Sequence, residues 1–517
     1  MNFLFALLIG VASAFAFQPF GLWPLMPLAF AALCELIARA PTLRRAMLIG
    51  WGFSVGQFCV GLNWIATAFT YQAAMPAWLG WIAVVLLSFY LAAFMMLSAG
   101  LAWRFGRERR IALVLALAGS WALCEYLRST MFTGFAWNPV GSALVDTPWR
   151  LVSRFVGTYG LTLLTVLAGG GLWLAAKREW RPAGGVLLAV GLLLLLPRPL
   201  PSGPPGLVVF DAQDAPVRPS KIRIIQPNIG QQDKWTEGFG DVAAARLNAM
   251  SGVRDDRPEL IFWPEAAVTD PLDDDRPLAR PFITYERQRA TRNLGRGDVL
   301  LTGGLAFASR DGRTVDSAAN SVFVFTEGGN PVGRYDKAHL VPYGEYLPMR
   351  PLLSAFGLSR LAPGDLDFAP GPGPRSIQLP FGWGKVGFQL CYEIIFSGEV
   401  IDPADRPDFL FNPSNDAWFG RWGPPQHLAQ SRMRAAEEGI PVIRSTPTGI
   451  SAVVDARGEL LHALPWRTAG VIETDLPRPL PNLSLFARFG NVIPMALGFA
   501  LLFAAIALGQ RARYRKT

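Results

Sequence analysis

The sequence predicts a two-part protein, a multi-pass α-helical membrane bundle of eight helices that carries an α/β sandwich domain. Three observations point there. Apolar stretches near the length of a bilayer span recur through the first two hundred residues and once more near the end. Hydrophobic residues make up 51% of the 517 and charged residues only 17%, with a positive mean hydropathy of +0.28, which excludes a disordered or wholly solvated chain. Between the apolar stretches lies a long region of mixed composition in which short β-type runs alternate with helical patterns.

The membrane spans are expected at residues 3–18, 22–38, 46–69, 78–102, 111–127, 158–176 and 184–197, and the eighth at 490–509. Charge tests the count. With a cytoplasmic N-terminus, the inner loops carry Arg39, Arg44 and Arg45, then Arg104, Arg107, Arg109 and Arg110, then Lys177, Arg178 and Arg181, and the tail adds Arg511, Arg513, Arg515 and Lys516. The short outer loops hold only Arg128, Arg150 and Arg154. That asymmetry obeys the positive-inside rule and puts both termini in the cytoplasm. It also accounts for the net charge of +9, since no basic cluster with interleaved aromatics marks a nucleic-acid surface. The first helix contains Ala12-Ser13-Ala14, which imitates a signal-peptidase site, but no Lys or Arg precedes it, so a retained helix is expected.

The expected organisation is a membrane domain over 1–197, a Pro/Gly-rich linker over 198–219, a second domain over 220–478, and the last helix with its basic tail over 479–517. Alternation places the second domain outside the cytoplasmic membrane, in a bacterium the periplasm. Its strands are expected at Ile222–Gln226, Leu260–Trp263, Val299–Gly303, Ser321–Phe325, Val386–Leu390, Phe409–Phe411, Val442–Ser445 and Ala452–Val454, with a helix at Gln426–Glu438. No internal repeat is visible.

Three segments place a reactive side chain beside an apolar strand: LIFWPEA with Glu265, GRYDKAHLVPYGEYLP with Lys337 and Glu345, and GFQLCYEIIF with Cys391 and Glu393. Each alone has an ordinary reading as a cap, a solvated charge or buried filler. Of the four cysteines, Cys34, Cys59 and Cys124 fall in apolar runs and only Cys391 lies in a polar region; no Cys/His grouping suggests a metal. A cysteine nucleophile needs a base and a group to steady the oxyanion. His339, His427 and His462 lack the flanks of a cysteine-protease histidine. Glu265 is then the expected base, in a half-buried pocket behind Trp263, and the charge of Lys337 is expected to favour the thiolate.

These residues resemble a family. The order Glu265, Lys337, Cys391, with WPE, a DK turn and CYE as local signatures, looks like the nitrilase superfamily of carbon-nitrogen hydrolases. With its flanking helices, and with KAHLVPYGEYLP, CYEIIF and NPSNDAWFG, the chain resembles the membrane-anchored branch of that superfamily that acylates bacterial lipoproteins. The resemblance implies a nitrilase-like αββα sandwich on the bundle, with Glu265 as general base, Lys337 as oxyanion stabiliser and Cys391 as nucleophile. It also marks Trp235, Glu345, Tyr392 and Glu393. Glu345 and Glu393 would hold Lys337 charged and oriented, the Tyr392 N–H would serve as oxyanion donor, and Trp235 would face acyl chains. Asn415, Asp416 and Trp418 read as a turn with exposed aromatics at the membrane or at a lipid channel.

The reaction so implied runs through a thioester. Cys391 takes an acyl chain from a phospholipid, typically phosphatidylethanolamine, and passes it to the α-amine of the diacylglyceryl-cysteine that begins an apolipoprotein. No metal, nucleotide or other cofactor is required, and nothing demands more than a monomer. Two other classes stay open: a membrane-tethered amidase of small amides, and a transporter or receptor. The scarcity of charges in the spans, Glu35 and Glu125 being the clearest, speaks against transport.

Overall fold

The computed structural model describes residues 2–71, 76–196, 221–234, 238–252, 258–355 and 366–514. The linker expected at 198–219, and Trp235, lie outside the described residues. The helical part contains α1 (Asn2–Ala14), α2 (Leu25–Ala38), α3 (Leu43–Gly61), α4 (Ile65–Ala68), α5 (Leu79–Gly106), α6 (Arg110–Thr130), α7 (Ser153–Ala176) and α8 (Trp180–Leu192). Each of the eight apolar stretches corresponds to a helix, but the count of spans is smaller. Among the described residues four helices are long and apolar enough to cross a membrane: α5, α6, α7 with the turn before it, and the C-terminal helix. A fifth is reached if α3 and the segment to Tyr71, bent by 48° at the break between them, are counted as one. The stretch read as one helix over 46–69 is therefore two pieces. α1 stops at Ala14, short of residue 18, before Pro19, whose predecessor is kept out of helical geometry by the ring.

The ends of the bundle differ in chemistry. At one, the three basic loops meet: Arg110 pairs with Glu179 at 2.8 Å, Lys177 with Glu35 at 2.8 Å, and Trp103 Nε1 donates to the Ala40 carbonyl at 2.8 Å. At the other, about 30 Å along α6 by its rise per residue, the segment after Thr130 touches the second domain. Trp137 Nε1 donates to Gln426 Oε1 at 2.7 Å, and Tyr392 Oη to the Gly134 carbonyl at 3.2 Å.

The second domain begins with β1 (Lys221–Gln226), followed by α9 (Phe239–Met250), β2 (Leu260–Phe262), β3 (Pro271–Asp274), α10 (Arg280–Ala290), β4 (Val299–Ala308), β5 (Ser317–Phe325) and β6 (Pro331–Asp336). It continues with α11 (Arg350–Ala355), β7 (Ser376–Gln378), β8 (Lys385–Phe388), β9 (Phe409–Pro413), α12 (Gly423–Glu438), β10 (Val442–Ser445), β11 (Ala452–Val454), β12 (Leu460–Ala463) and β13 (Gly470–Asp475). The chain ends in α13 (Leu485–Phe489) and α14 (Val492–Tyr514).

Two sheets form, in the order β13-β1-β2-β4-β5-β6 with β3 added beside β4, and β12-β11-β10-β9-β8-β7. The alternation of side chains along a strand builds the layers. Ile222, Ile224, Leu260, Phe262, Val299, Leu301, Val322 and Val324 face Val386, Phe388, Phe409, Phe411, Ile443 and Val453 of the other sheet. The intervening Ile225, Ile261, Leu300, Phe323 and Phe325 point outward, into a core with Leu247 of α9 and Ala290 of α10. On the opposite outer face, Leu410, Val442, Ala452 and Val454 pack with Leu428 and Met433 of α12, in a core continuous with the membrane helices. The result is an αββα sandwich whose α12 also packs on the bundle. The strands missed in the sequence, β3, β6, β7, β12 and β13, are polar or marginal: β12 is exposed throughout, and β3 and β6 each open on proline.

Candidate active site

The parallel strands β1, β2 and β4 of one sheet and β8, β9 and β10 of the other all deliver their C-terminal ends to one edge of the sandwich, where α/β folds gather functional loops. Glu265 follows β2 by three residues. A side chain at Gly303 would put its Cβ 2.7 Å from Glu265 Cα, so glycine there lets the Glu265 loop fold back over β4. Lys337 directly follows β6. Cys391 begins a short helical turn after β8 with φ of +50°, a left-handed backbone that costs a side-chain-bearing residue strain and recurs at nucleophiles.

These three side chains meet in a closed cluster; Lys337 is 1% exposed, Cys391 5% and Glu265 6%. Lys337 Nζ pairs with Glu345 at 2.9 Å and lies 3.9 Å from Glu265 Oε1. Asn320 Nδ2, on β5, ties the two carboxylates together, donating to Glu265 Oε1 at 2.8 Å and Glu345 Oε1 at 2.9 Å. The second Glu265 oxygen accepts the Asn415 N–H at 2.6 Å. Burial opposes the charge of Lys337, yet Glu345 and then Glu265 outweigh it and hold the ammonium protonated.

Two expectations are corrected. Lys337 does favour a thiolate, but burial first and the Glu265 carboxylate second push the Cys391 thiol well above its ordinary range, so the resting sulfur is protonated. Glu393 does not touch the Lys337 ammonium. Its oxygens accept Tyr335 Oη at 3.0 Å, the Ala338 N–H at 2.7 Å, the His339 N–H at 2.9 Å and the Leu390 N–H at 2.7 Å, stitching the Lys337 loop to the Cys391 turn. Burial pushes its carboxyl up to about 7.

The NPSNDAWFG turn differs from its reading too. Asp416 is fully buried, accepting two bonds from Arg444 Nη2 at 2.8 and 2.7 Å. Trp418 is half-buried, edge-on to Tyr71 with ring centroids 5.7 Å apart. Tyr392 is buried, stacking edge-on against Phe396 at 5.2 Å.

Sequence comparison agrees with this geometry. Residues 9–171 match a family model described as the apolipoprotein N-acyltransferase N-terminal domain, and residues 221–480 match the carbon-nitrogen hydrolase model. The apolipoprotein N-acyltransferase of Rhodopseudomonas palustris is 33% identical over 98% of this chain and 95% of its own length. The chain belongs to the apolipoprotein N-acyltransferase family. The enzyme of that name from Bradyrhizobium diazoefficiens is likewise 33% identical, over 99% of this chain and 95% of its own, and that of Caulobacter vibrioides 34%, over 95% and 92%.

Within this family fold the sequence reading missed several residues of the site. Asn320 sits in an ordinary β pattern, and nothing local marks it. Lys234 is buried, with Nζ 3.5 Å from the Glu265 carbonyl; burial lowers it from the usual 10.5 to about 8 against the opposing charges of Glu265 and Cys391. His427, set aside for its flanks, has Nε2 3.0 Å from the Cys391 carbonyl and Nδ1 3.0 Å from both Asp416 Oδ1 and Arg444 Nη2. Its one signal was proximity in sequence to NDAWFG.

Proposed function

We infer that the chain is an apolipoprotein N-acyltransferase, moving an acyl chain from a phospholipid to the α-amine of the diacylglyceryl-cysteine that begins a lipoprotein. The observation that carries the reading is the single buried cluster of Cys391, Glu265 and Lys337 in a chain that matches such enzymes along nearly its whole length. Because the resting sulfur is a thiol, the reaction needs a base. Glu265 takes that proton as the sulfur attacks the ester carbonyl of the donor, phosphatidylethanolamine in this reading. The tetrahedral oxyanion is held by the Lys337 ammonium and the Tyr392 N–H. Collapse returns the proton from Glu265 to the departing alkoxide, releases lysophospholipid and leaves a thioester. The acceptor amine then attacks the thioester, Glu265 takes the amine's proton, and the departing thiolate is reprotonated as the amide forms.

Glu345 orients Lys337, Glu393 joins the Lys337 loop to the Cys391 turn, and Trp235 and Trp418 are the residues assigned to binding the acyl chain. The same reading holds eight helices in the bacterial inner membrane, with three short ones completing the spans, both termini cytoplasmic and the catalytic domain periplasmic. It divides the chain at 1–197, 198–219, 220–478 and 479–517 and lets it act as a monomer. Its support is the segregation of the basic loops and the catalytic domain to opposite ends of the bundle.

The test is mass spectrometry of the detergent-solubilised protein after incubation with phosphatidylethanolamine and no acceptor. A hydroxylamine-labile acyl adduct on the Cys391 peptide, discharged by a diacylated lipopeptide and absent from Cys391→Ala, is the expected result. No adduct, with ammonia released from small amides, defeats it in favour of an amidase.

A further inference from the structure

The Cys391 carbonyl is gripped from outside the site by a buried chain of polar groups that the reaction does not touch. His427 Nε2, on α12, lies 3.0 Å from that carbonyl. A carbonyl only accepts, so Nε2 carries a proton. The other ring nitrogen lies 3.0 Å from both Asp416 Oδ1 and Arg444 Nη2, and the same Nη2 donates to both oxygens of Asp416. Arg444 is fixed in turn by Ser414 Oγ at 3.0 Å and by Asn412. Burial, and then the Arg444 charge, hold His427 below the usual histidine range against the opposing pull of Asp416 and the Cys391 carbonyl. Trp137, from the membrane part, covers the ring at a centroid distance of 5.2 Å, and Phe419 flanks it at 5.6 Å. His427, Asp416 and Arg444 are all fully buried.

This much buried polarity on one main-chain oxygen has a geometric consequence. A peptide unit is planar and trans, so the Cys391 carbonyl and the Tyr392 N–H belong to one rigid plate and point in opposite directions. Tyr392 is the second residue of its helical turn, where an N–H has no acceptor within the turn. Cys391 at φ +50° has no regular helix or strand to hold the plate. We propose that His427 is a positioning residue: by donating to the Cys391 carbonyl it fixes the peptide plane whose other edge, the Tyr392 N–H, receives the oxyanion, with Asp416 and Arg444 fixing His427. Donation to the carbonyl also polarises the plate and makes its N–H a stronger donor. The inference rests on the acyl-enzyme reading above.

A test separates this role from support of the fold or of the thiol. Alkylation of Cys391 by iodoacetamide is a displacement at carbon that builds no oxyanion, whereas acylation by phosphatidylethanolamine builds one. His427→Phe keeps a ring between Trp137 and Phe419 but removes the donor. The expected result is an unchanged alkylation rate and an acylation rate lower by about 10- to 100-fold, short of the 10²–10³ for deleting an oxyanion donor outright. KM for the phospholipid is expected to hold while kcat falls, because the contact counts only in the transition state. His427→Gln, whose amide presents an N–H near the Nε2 position, should recover most of the loss, and it decides alone if the Phe variant does not fold. Equal losses of alkylation and acylation, no loss of acylation, or no recovery with Gln each overturn the proposal. Absence of an acyl adduct on the wild-type protein would instead overturn the acyl-enzyme reading.

Discussion

Two lysines approach the Glu265 side of the site, and they carry opposite environments. Lys337 is surrounded by carboxylates and stays charged; Lys234 is buried beside a pocket it lines together with Ile229, Phe239, Ala243 and Leu247, and its Nζ reaches the Glu265 carbonyl at 3.5 Å. The sign of its effect on stability follows. Its folded value of about 8 lies below the usual 10.5, so between those pH values the unfolded chain binds more protons, and stability rises with pH as the burial penalty is lost. Lys234→Met removes the penalty at every pH. Thermal unfolding in detergent should therefore find the Met variant more stable than wild type at pH 7, with the gap closing toward pH 10. A gap that stays flat or widens would contradict the environment described for Lys234. At this scale the sequence was legible where chemistry is local: Glu265, Lys337 and Cys391 each sit in a short segment readable by itself. Lys234, Asn320 and His427 join the site through contacts 31, 55 and 36 residues away in the chain, and no local pattern encodes those.

Among the elements, α7 carries the joint between the two parts. At Gly157 the chain leaves helical geometry, with φ 67° and ψ 178°, a region that excludes side chains. The helix restarts at Thr158, whose N–H and Oγ1 both donate to Glu437 Oε1 at 2.6 Å. Glu437 belongs to α12. Ser397 Oγ donates to the same Oε1 at 2.9 Å, and Arg434 Nε lies 2.7 Å from Oε2. A carboxylate of the catalytic domain thus caps a membrane helix. A Cβ at residue 157 would lie 2.3 Å from the ring of the buried Phe486. Gly157→Ala should cost about 1–3 kcal/mol from backbone strain alone and more from the clash, read as a lower unfolding midpoint in detergent. Phe486→Leu in that background should relieve the clash but not the strain, and full recovery by Phe486→Leu would show that the backbone at 157 is unstrained. The sequence located α7 but not its break, since one glycine in an apolar helix is common and only the partner on α12 explains it. The interior strands were legible for the opposite reason. Two buried faces impose alternating or continuous apolar runs on β2, β5 and β9, whereas exposed β12 is under no such demand.

Across the whole molecule, the orientation in the membrane is the property on which access to substrate depends. The three basic loops are tied to one another by Glu35 and Glu179 at one end of the bundle, and the catalytic domain is tied to Thr133, Gly134 and Trp137 at the other. A bundle that spans a bilayer has its two ends on opposite sides. If the Arg-rich end is retained in the cytoplasm, Cys391 opens toward the outer leaflet and an acceptor delivered there. Labelling is read in a Cys391→Ala background, which removes the reactive thiol; of the other native cysteines Cys34 and Cys124 are buried and Cys59 is partly so. Single cysteines placed at Leu278, 92% exposed on the catalytic domain, and at Arg44, exposed in the first turn of α3 beside the first basic loop, report the two ends directly. A membrane-impermeant maleimide added to intact spheroplasts should modify Leu278→Cys and spare Arg44→Cys until the membrane is opened. The reverse pattern would put the catalytic domain in the cytoplasm, and modification of both before opening would mean that the two ends are not separated by a bilayer at all.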